Sequence, residues 1–192
     1  MQKFTYQKKL PVILEPEEAK KLLNTPNENS FIGLRNKVMI SLMLNLGLRL
    51  SEVANLKPED INVETGTLMV VQGKGGRDRI LGIPDYLKPL LRKWNKKRLQ
   101  NKYYFTTFKG KRVGARYIQD MVKRVVRNAR ITKNISPHSL RHTYATEYYR
   151  QTKDLETLRR ILGHTDISTT TIYINLANIE VENGMRNFRG FI

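Results

Sequence analysis

Residues 34–47, LRNKVMISLMLNLG, decide the fold class. Leu34, Val38, Leu42 and Leu46 recur at a spacing of four, and Met39, Ile40 and Met43 widen the apolar face. A face that broad belongs to a helix sunk in a core, and Gly47 is placed to end it through a left-handed residue. Toward the N-terminus, residues 1–14 read as an extended lead-in ending in LPVIL. Glu15-Pro16-Glu17-Glu18 then starts a helix with acids at the positive end of its dipole, and Asn24–Ser30 is a polar loop. Toward the C-terminus, Ile61–Val71 alternates around Glu64-Thr65-Gly66, and Asp78–Ile83 offers a second short apolar run. With the Gly-rich stretch Gly73–Gly76 between them, these predict an antiparallel sheet of two or three strands. Helices are expected at about 84–100, 114–130, 137–150 and 154–162, with a short one near 168–175 and a last one over about 176–188. The expected class is mainly α with a small antiparallel β-sheet, an α+β arrangement.

Charge narrows the partner. The 192 residues carry 35 Lys and Arg against 17 Asp and Glu, a net charge of +18. Between Lys88 and Lys133 stand sixteen Lys and Arg and one acid, Asp120, so this stretch holds +15 of the total. A concentration of that kind points to a polyanion, although ribosomal and membrane-surface proteins share the bulk property. In the expected helix 114–130, Ile118, Met121, Val122, Val125, Val126 and Ala129 mark the apolar side. Arg116, Lys123, Arg127 and Arg130 lie on another stripe, suited to phosphates. Tyr103, Tyr104, Phe105 and Phe108 interleave with the basic stretch and are expected to pack rather than stack on bases. Cysteine is absent, which excludes disulfides and thiolate metal sites. No apolar run approaches the roughly 20 residues that span a bilayer, and MQKFTYQKKL lacks the apolar centre of a secretory signal. A cytoplasmic protein is the plain expectation.

Five short motifs carry chemistry. In Gly47-Leu48-Arg49-Leu50-Ser51-Glu52, Arg49 follows a helix end, Ser51 is placed to cap the next helix, and Glu52 is placed either to brace the guanidinium or to serve the new helix's first turn. Arginine suits two phosphate oxygens because its fork donates bidentately and stays charged, yet a lone arginine here is more often a surface ion-pair partner. Gly73-Lys74-Gly75-Gly76-Arg77-Asp78-Arg79 occupies a hairpin tip, either a solvated turn or a loop that presents Lys74 with Arg77 and Arg79. Ser136-Pro137 opens a helix that brings His138 and Arg141, three residues apart, onto its first exposed face, where the helix terminus itself favours an anion. His138 and His142 are spaced to share a metal, but the glutamate of an HExxH pattern is missing, and His142 is expected to turn inward as a structural residue. Leu162-Gly163-His164 closes a helix, and Thr169-Thr170-Thr171-Ile172-Tyr173 supplies hydroxyls and an exposed tyrosine just before the tail.

Taken together, GLRLSEV, GKGGRDR, HSLRHTYAT, LGH and TTTIYIN, in this order, resemble the tyrosine recombinase (phage integrase) family, in its Xer-like and conjugative-element branches. The resemblance runs from about residue 11 to 178 and implies that family's catalytic-domain fold. It implies that Arg49 and Arg141 bind the scissile phosphate, that Lys74 protonates the leaving 5′-oxygen, and that His138 and His164 are the family's two histidine-type positions. Tyr173 corresponds to the nucleophile. The implied activity is cleavage and rejoining of double-stranded DNA through a 3′-phosphotyrosyl link, which keeps the bond energy and needs neither metal, cofactor nor ATP. Residues 1–175 are expected to form the catalytic domain and 176–192 a tail helix that packs on a neighbouring protomer or on its own domain. The resembling region begins almost at Met1, so the helical DNA-clamping domain that usually precedes it is expected to be absent. A homo-oligomer on DNA, a tetramer in the synapse, and no membrane partner complete the expectation. Two other readings use the same charge: a topoisomerase of type IB chemistry that relaxes supercoils, and a DNA-binding regulator that never cuts.

Overall fold

A computed structural model of the chain describes residues 11–71, 78–163 and 173. Three helices come first: α1 (Pro16–Asn24), α2 (Phe31–Leu46) and α3 (Leu50–Asn55). Strands β1 (Ile61–Asn62), β2 (Thr67–Val70) and β3 (Arg79–Gly82) follow, and then α4 (Lys88–Lys97), α5 (Ala115–Asn128), α6 (Pro137–Thr152) and α7 (Leu155–Leu162). The protein is thus mostly helical with one small antiparallel sheet of order β1-β2-β3, as the sequence predicts.

Helix α2 is the hub, packed against α1, α3, α4 and α6. Leu34, Val38, Met39, Ile40, Leu42 and Met43 are fully buried, so the breadth of its apolar face reflects contact on nearly every side. Even Arg35 is buried there, donating from Nη1 to the Thr106 carbonyl at 2.7 Å and from Nη2 to the Tyr117 hydroxyl, while its Nε finds no partner among the described residues. Ser30 caps the helix by accepting from Gly33 N–H at 3.0 Å, and Gly47 ends it at φ 62°. A Cβ on Gly47 would lie 2.5 Å from Tyr144 Cδ1, so both conformation and space demand glycine. In the sheet, Ile61 pairs with Leu68 and Leu68 with Leu81. That register turns all three toward the core.

Several boundaries differ from expectation. The expected helix 84–100 is a 3-10 turn, Asp85–Leu87, followed by α4, which stops at Lys97. Helix α5 ends at Asn128, and Arg130 beyond it has φ 54°. Ser51 does not cap α3; the cap position is Arg49, whose backbone N–H donates to Glu52 Oε2 at 2.7 Å. Tyr104 and Phe105 are buried as packing residues, Phe105 stacked on Trp94, whereas Phe108 is 73% exposed. The lead-in up to residue 10, the hairpin tip with Lys74 and Arg77, His164, and the two expected helices around and after Tyr173 lie outside the described residues, Tyr173 excepted. Among the described residues no helix is long and apolar enough to cross a membrane.

Candidate active site

Two helix C-termini build the site. A helix end leaves carbonyls without intrahelical partners and carries the negative end of the dipole, so it attracts cations. Both α2 and α7 end at a left-handed glycine, Gly47 and Gly163, which turns the chain away and leaves those carbonyls open to side chains. Arg141 spans the two ends, donating from Nη1 to Gly47 O at 2.5 Å and from Nη2 to Leu162 O at 2.6 Å. Arg49 donates to Gly163 O at 3.2 Å, and Arg79 donates from Nε to Ile161 O at 2.6 Å. Three consecutive carbonyls of one helix end therefore each receive a different guanidinium, from α6, from the α2–α3 corner and from β3.

Glu52 ties the cluster together. Its carboxylate accepts from Arg79 Nη1 and Nη2 at 2.8 and 2.9 Å, and from Arg49 Nη1 at 3.0 Å. Burial opposes ionisation of Glu52, but the hydrogen bonds and charge of Arg79, the Arg49 N–H and the charge of Arg141 outweigh it, so its pKa lies below the ordinary value. The brace expected from Glu52 is thus present. It serves Arg79 as well, a residue expected among the DNA contacts, whose side chain is 9% exposed and held by Glu52 and Ile161 O. Arg141 is 3% exposed, and burial followed by the nearby charge of Arg49 brings its pKa down to about 10, still fully charged near neutrality.

Helix α6 supplies the remaining groups. Ser136 caps it by accepting from Ser139 N–H at 3.3 Å, with Pro137 in the first turn. One turn carries His138, Arg141 and His142. His138 is exposed, and burial, Arg141 and Arg49 together hold its pKa below the usual imidazole value. His142 lies between His138, with ring centroids 4.9 Å apart, and Tyr173, with centroids 5.7 Å apart. Burial, then His138, then Arg141 push its pKa down to about 4, so it is neutral at physiological pH. Its Nδ1 is 3.1 Å from the Tyr173 hydroxyl.

Tyr173 departs from the expectation of an exposed side chain. It is 1% exposed, and its ring packs with Ala145, Leu158 and Leu162 in a small apolar cluster between α6 and α7. Burial raises its pKa, and the charges of Arg141 and Arg49 pull the other way without cancelling that effect. Sequence spacing places His142 on the face of His138, but its contact with a residue 31 positions later is a tertiary fact. Of the six expected catalytic residues, Arg49, His138, Arg141 and Tyr173 are gathered around α6 and the α7 end. Lys74 and His164 fall outside the described residues. Among the described residues no group of three or more His, Cys, Asp or Glu is assembled to hold a metal.

The basic stretch is less bare than its composition suggests. Arg92 pairs with Glu64 at 2.8 Å, Lys93 with Glu28 at 3.5 Å, and Lys133 with Glu18 at 2.6 Å and Glu15 at 3.6 Å. On α5, Arg116, Lys123 and Arg127 are exposed, with Arg116 paired to Asp120 at 3.2 Å. Arg124, unremarked in the sequence, is exposed beside them over the Tyr117 ring. Arg130 is exposed as well, but it stands past the helix end rather than on the stripe.

The profile of the phage integrase family matches residues 13–179 of this chain. A tyrosine recombinase of Thermosipho africanus is 37% identical over 175 residues, covering 91% of this chain and 60% of that protein. Tyrosine recombinase XerD of Staphylococcus saprophyticus is 34% identical over 191 residues, covering 95% of this chain and 64% of that protein. The chain therefore spans somewhat under two thirds of these relatives. Among solved structures, XerA recombinase superposes with a TM-score of 0.80 at 29% identity, over 93% of this chain and 66% of that one. XerH site-specific recombinase, bound to a palindromic difH substrate after cleavage, does so at 0.80 and 27% identity, over 95% of this chain and 55% of that one. With that family profile over most of its length and relatives above 30% identity, the chain belongs to the phage integrase family.

Proposed function

We propose that this chain is the catalytic part of a tyrosine-type site-specific DNA recombinase, breaking and rejoining strands of double-stranded DNA through a 3′-phosphotyrosyl intermediate. The observation that carries the reading is the convergence of Arg49, Arg141 and His138 with a tyrosine whose hydroxyl reaches the same turn of α6. Tyr173 Oη attacks the scissile phosphorus, and the departing 5′-oxygen takes a proton from Lys74. Arg49 and Arg141 bear on the phosphate oxygens as charge builds in the transition state. Their guanidinium planes are already held by helix-end carbonyls, so little reorganisation is required during reaction. His138, exposed at the helix start, faces the phosphate, and His164 joins it as the second histidine. A 5′-hydroxyl from a second duplex then attacks the phosphotyrosine and completes the exchange.

Residues 1–175 are read as the catalytic unit and 176–192 as a tail that links protomers on DNA, in a synapse of four. Exposed Lys123, Arg124 and Arg127 on α5 supply backbone contacts, with Arg77, Arg116 and Arg130 as further candidates. A protein with this role works in the cytoplasm, on the nucleoid. The reading is supported by relatives named as recombinases and by the XerH complex with its DNA substrate. It is tested by incubating the protein without metal with nicked suicide duplexes of randomised sequence, then denaturing. A covalent protein–DNA adduct that disappears in Tyr173→Phe is expected. An adduct that persists in that variant removes Tyr173 from the role, and salt-sensitive binding with no adduct favours a binder that does not cut.

A further inference from the structure

We propose that His142, rather than His138, is the catalytic residue that orients the Tyr173 hydroxyl and takes its proton as the bond to phosphorus forms. The inference rests on Tyr173 being the nucleophile. Three observations carry it. His142 Nδ1 lies 3.1 Å from Tyr173 Oη, within hydrogen-bond reach. His138 sits one turn earlier on α6, on the far side of His142 and exposed, so it faces an incoming phosphate while His142 faces the tyrosine. The tyrosine ring is fixed by Ala145, Leu158 and Leu162, which aims its oxygen at α6 of the same chain.

The proton balance follows from that geometry. Oη–P forms and P–O5′ breaks; the phenolic proton passes to His142 Nδ1, and the 5′-oxygen receives one from Lys74. In rejoining, both protons return. His142 must be neutral with its hydrogen on Nε2, leaving the Nδ1 lone pair to accept. Burial and the neighbouring His138 and Arg141 keep it neutral in the free protein. A weak resting base suffices because a phenol becomes far more acidic as its oxygen bonds to phosphorus, so transfer runs with bond formation instead of ahead of it. A bound phosphate also places negative charge beside Arg141 and His138, offsetting two of the three influences that depress His142.

Two variants separate orientation from proton transfer. His142→Asn sets an amide where Nδ1 stood; it can accept the hydrogen bond but cannot take the proton. His142→Ala does neither. Single-turnover adduct formation should slow by roughly 10²–10⁴-fold in both, the usual range for a lost general base. A substrate whose 5′-bridging oxygen is sulfur, a leaving group that needs no acid, should restore Lys74→Ala and leave both His142 variants slow. Asparagine at wild-type rate overturns the proton role, and alanine at wild-type rate overturns the whole assignment, as it would if the tyrosine left His142 to reach the phosphate. The Tyr173→Phe control is distinct: an adduct there refutes the nucleophile, not the histidine. Should neither variant fold, or the wild type form no adduct, nitrogen-15 correlation spectra of the unmodified protein decide. The Nε2–H tautomer at pH 7 is expected for His142, and the Nδ1–H tautomer would overturn the proposal.

Discussion

Replacing Glu52 with glutamine tests whether the arginine cluster is held by one buried carboxylate. The Glu52 side chain is 8% exposed, and among the described residues its two oxygens accept from the Arg49 backbone and side chain and from both terminal nitrogens of Arg79. Glutamine keeps one acceptor oxygen and turns the other into a donor that faces Arg79 Nη2 and the Arg49 N–H. Two charge-assisted bonds at about 1.5–3 kcal/mol each are lost, so the expected cost is ~3–6 kcal/mol. That agrees with the roughly 3–5 kcal/mol seen when one partner of a buried ion pair is removed. For a chain of this size each kcal/mol moves Tm by roughly 2–4 °C, giving a fall on the order of 6–24 °C. The pH dependence has a definite sign. The folded pKa of Glu52 lies below the ordinary glutamate value, so its contribution is complete above the unfolded pKa and is lost as pH falls through the folded one. Urea titrations of wild type and Glu52→Gln should therefore differ most near neutrality and converge under acid. A gap below about 1 kcal/mol at pH 7, or one that widens on acidification, would show that the carboxylate does not hold the cluster.

Gly47→Ala combines a left-handed φ of 62° with a Cβ 2.5 Å from Tyr144; it should cost about 2–3 kcal/mol in urea unfolding and displace the carbonyl that holds Arg141. Lys123→Ala should weaken DNA binding at every sequence and lower the salt slope by about 1, whereas Arg92→Ala, already paired with Glu64, should lower it by less. Equal slopes would show that folded-back acids do not mask the basic stretch. Among the nine tyrosines, nitration should reach Tyr86, 69% exposed, well before Tyr173, 1% exposed; peptide mapping that finds Tyr173 modified first would refute its burial.

The local chemistry of this chain was legible without coordinates. The breadth of the apolar face over 34–46, the glycines at 47 and 163, the Ser136-Pro137 start and the alternation on either side of Gly66 each act over a few residues, and each produced the element expected. The site motifs were legible for the same reason, since a helix start or a helix end determines what a neighbouring side chain can reach. Partnership at long range was not. Arg79 and Lys123 are equally basic in sequence, yet one is spent on Glu52 and Ile161 and the other faces solvent. Charge counted along 88–133 omits Glu15, Glu18, Glu28 and Glu64, which come from other segments to neutralise part of it. Tyr173 lies buried against His142 because α6 and α7 close an apolar cluster around its ring. Sequence alone determined which groups are present and which turn displays them. Only the packing of helices distant in sequence decided which charge meets which, because ion pairs and burial depend on distance in space.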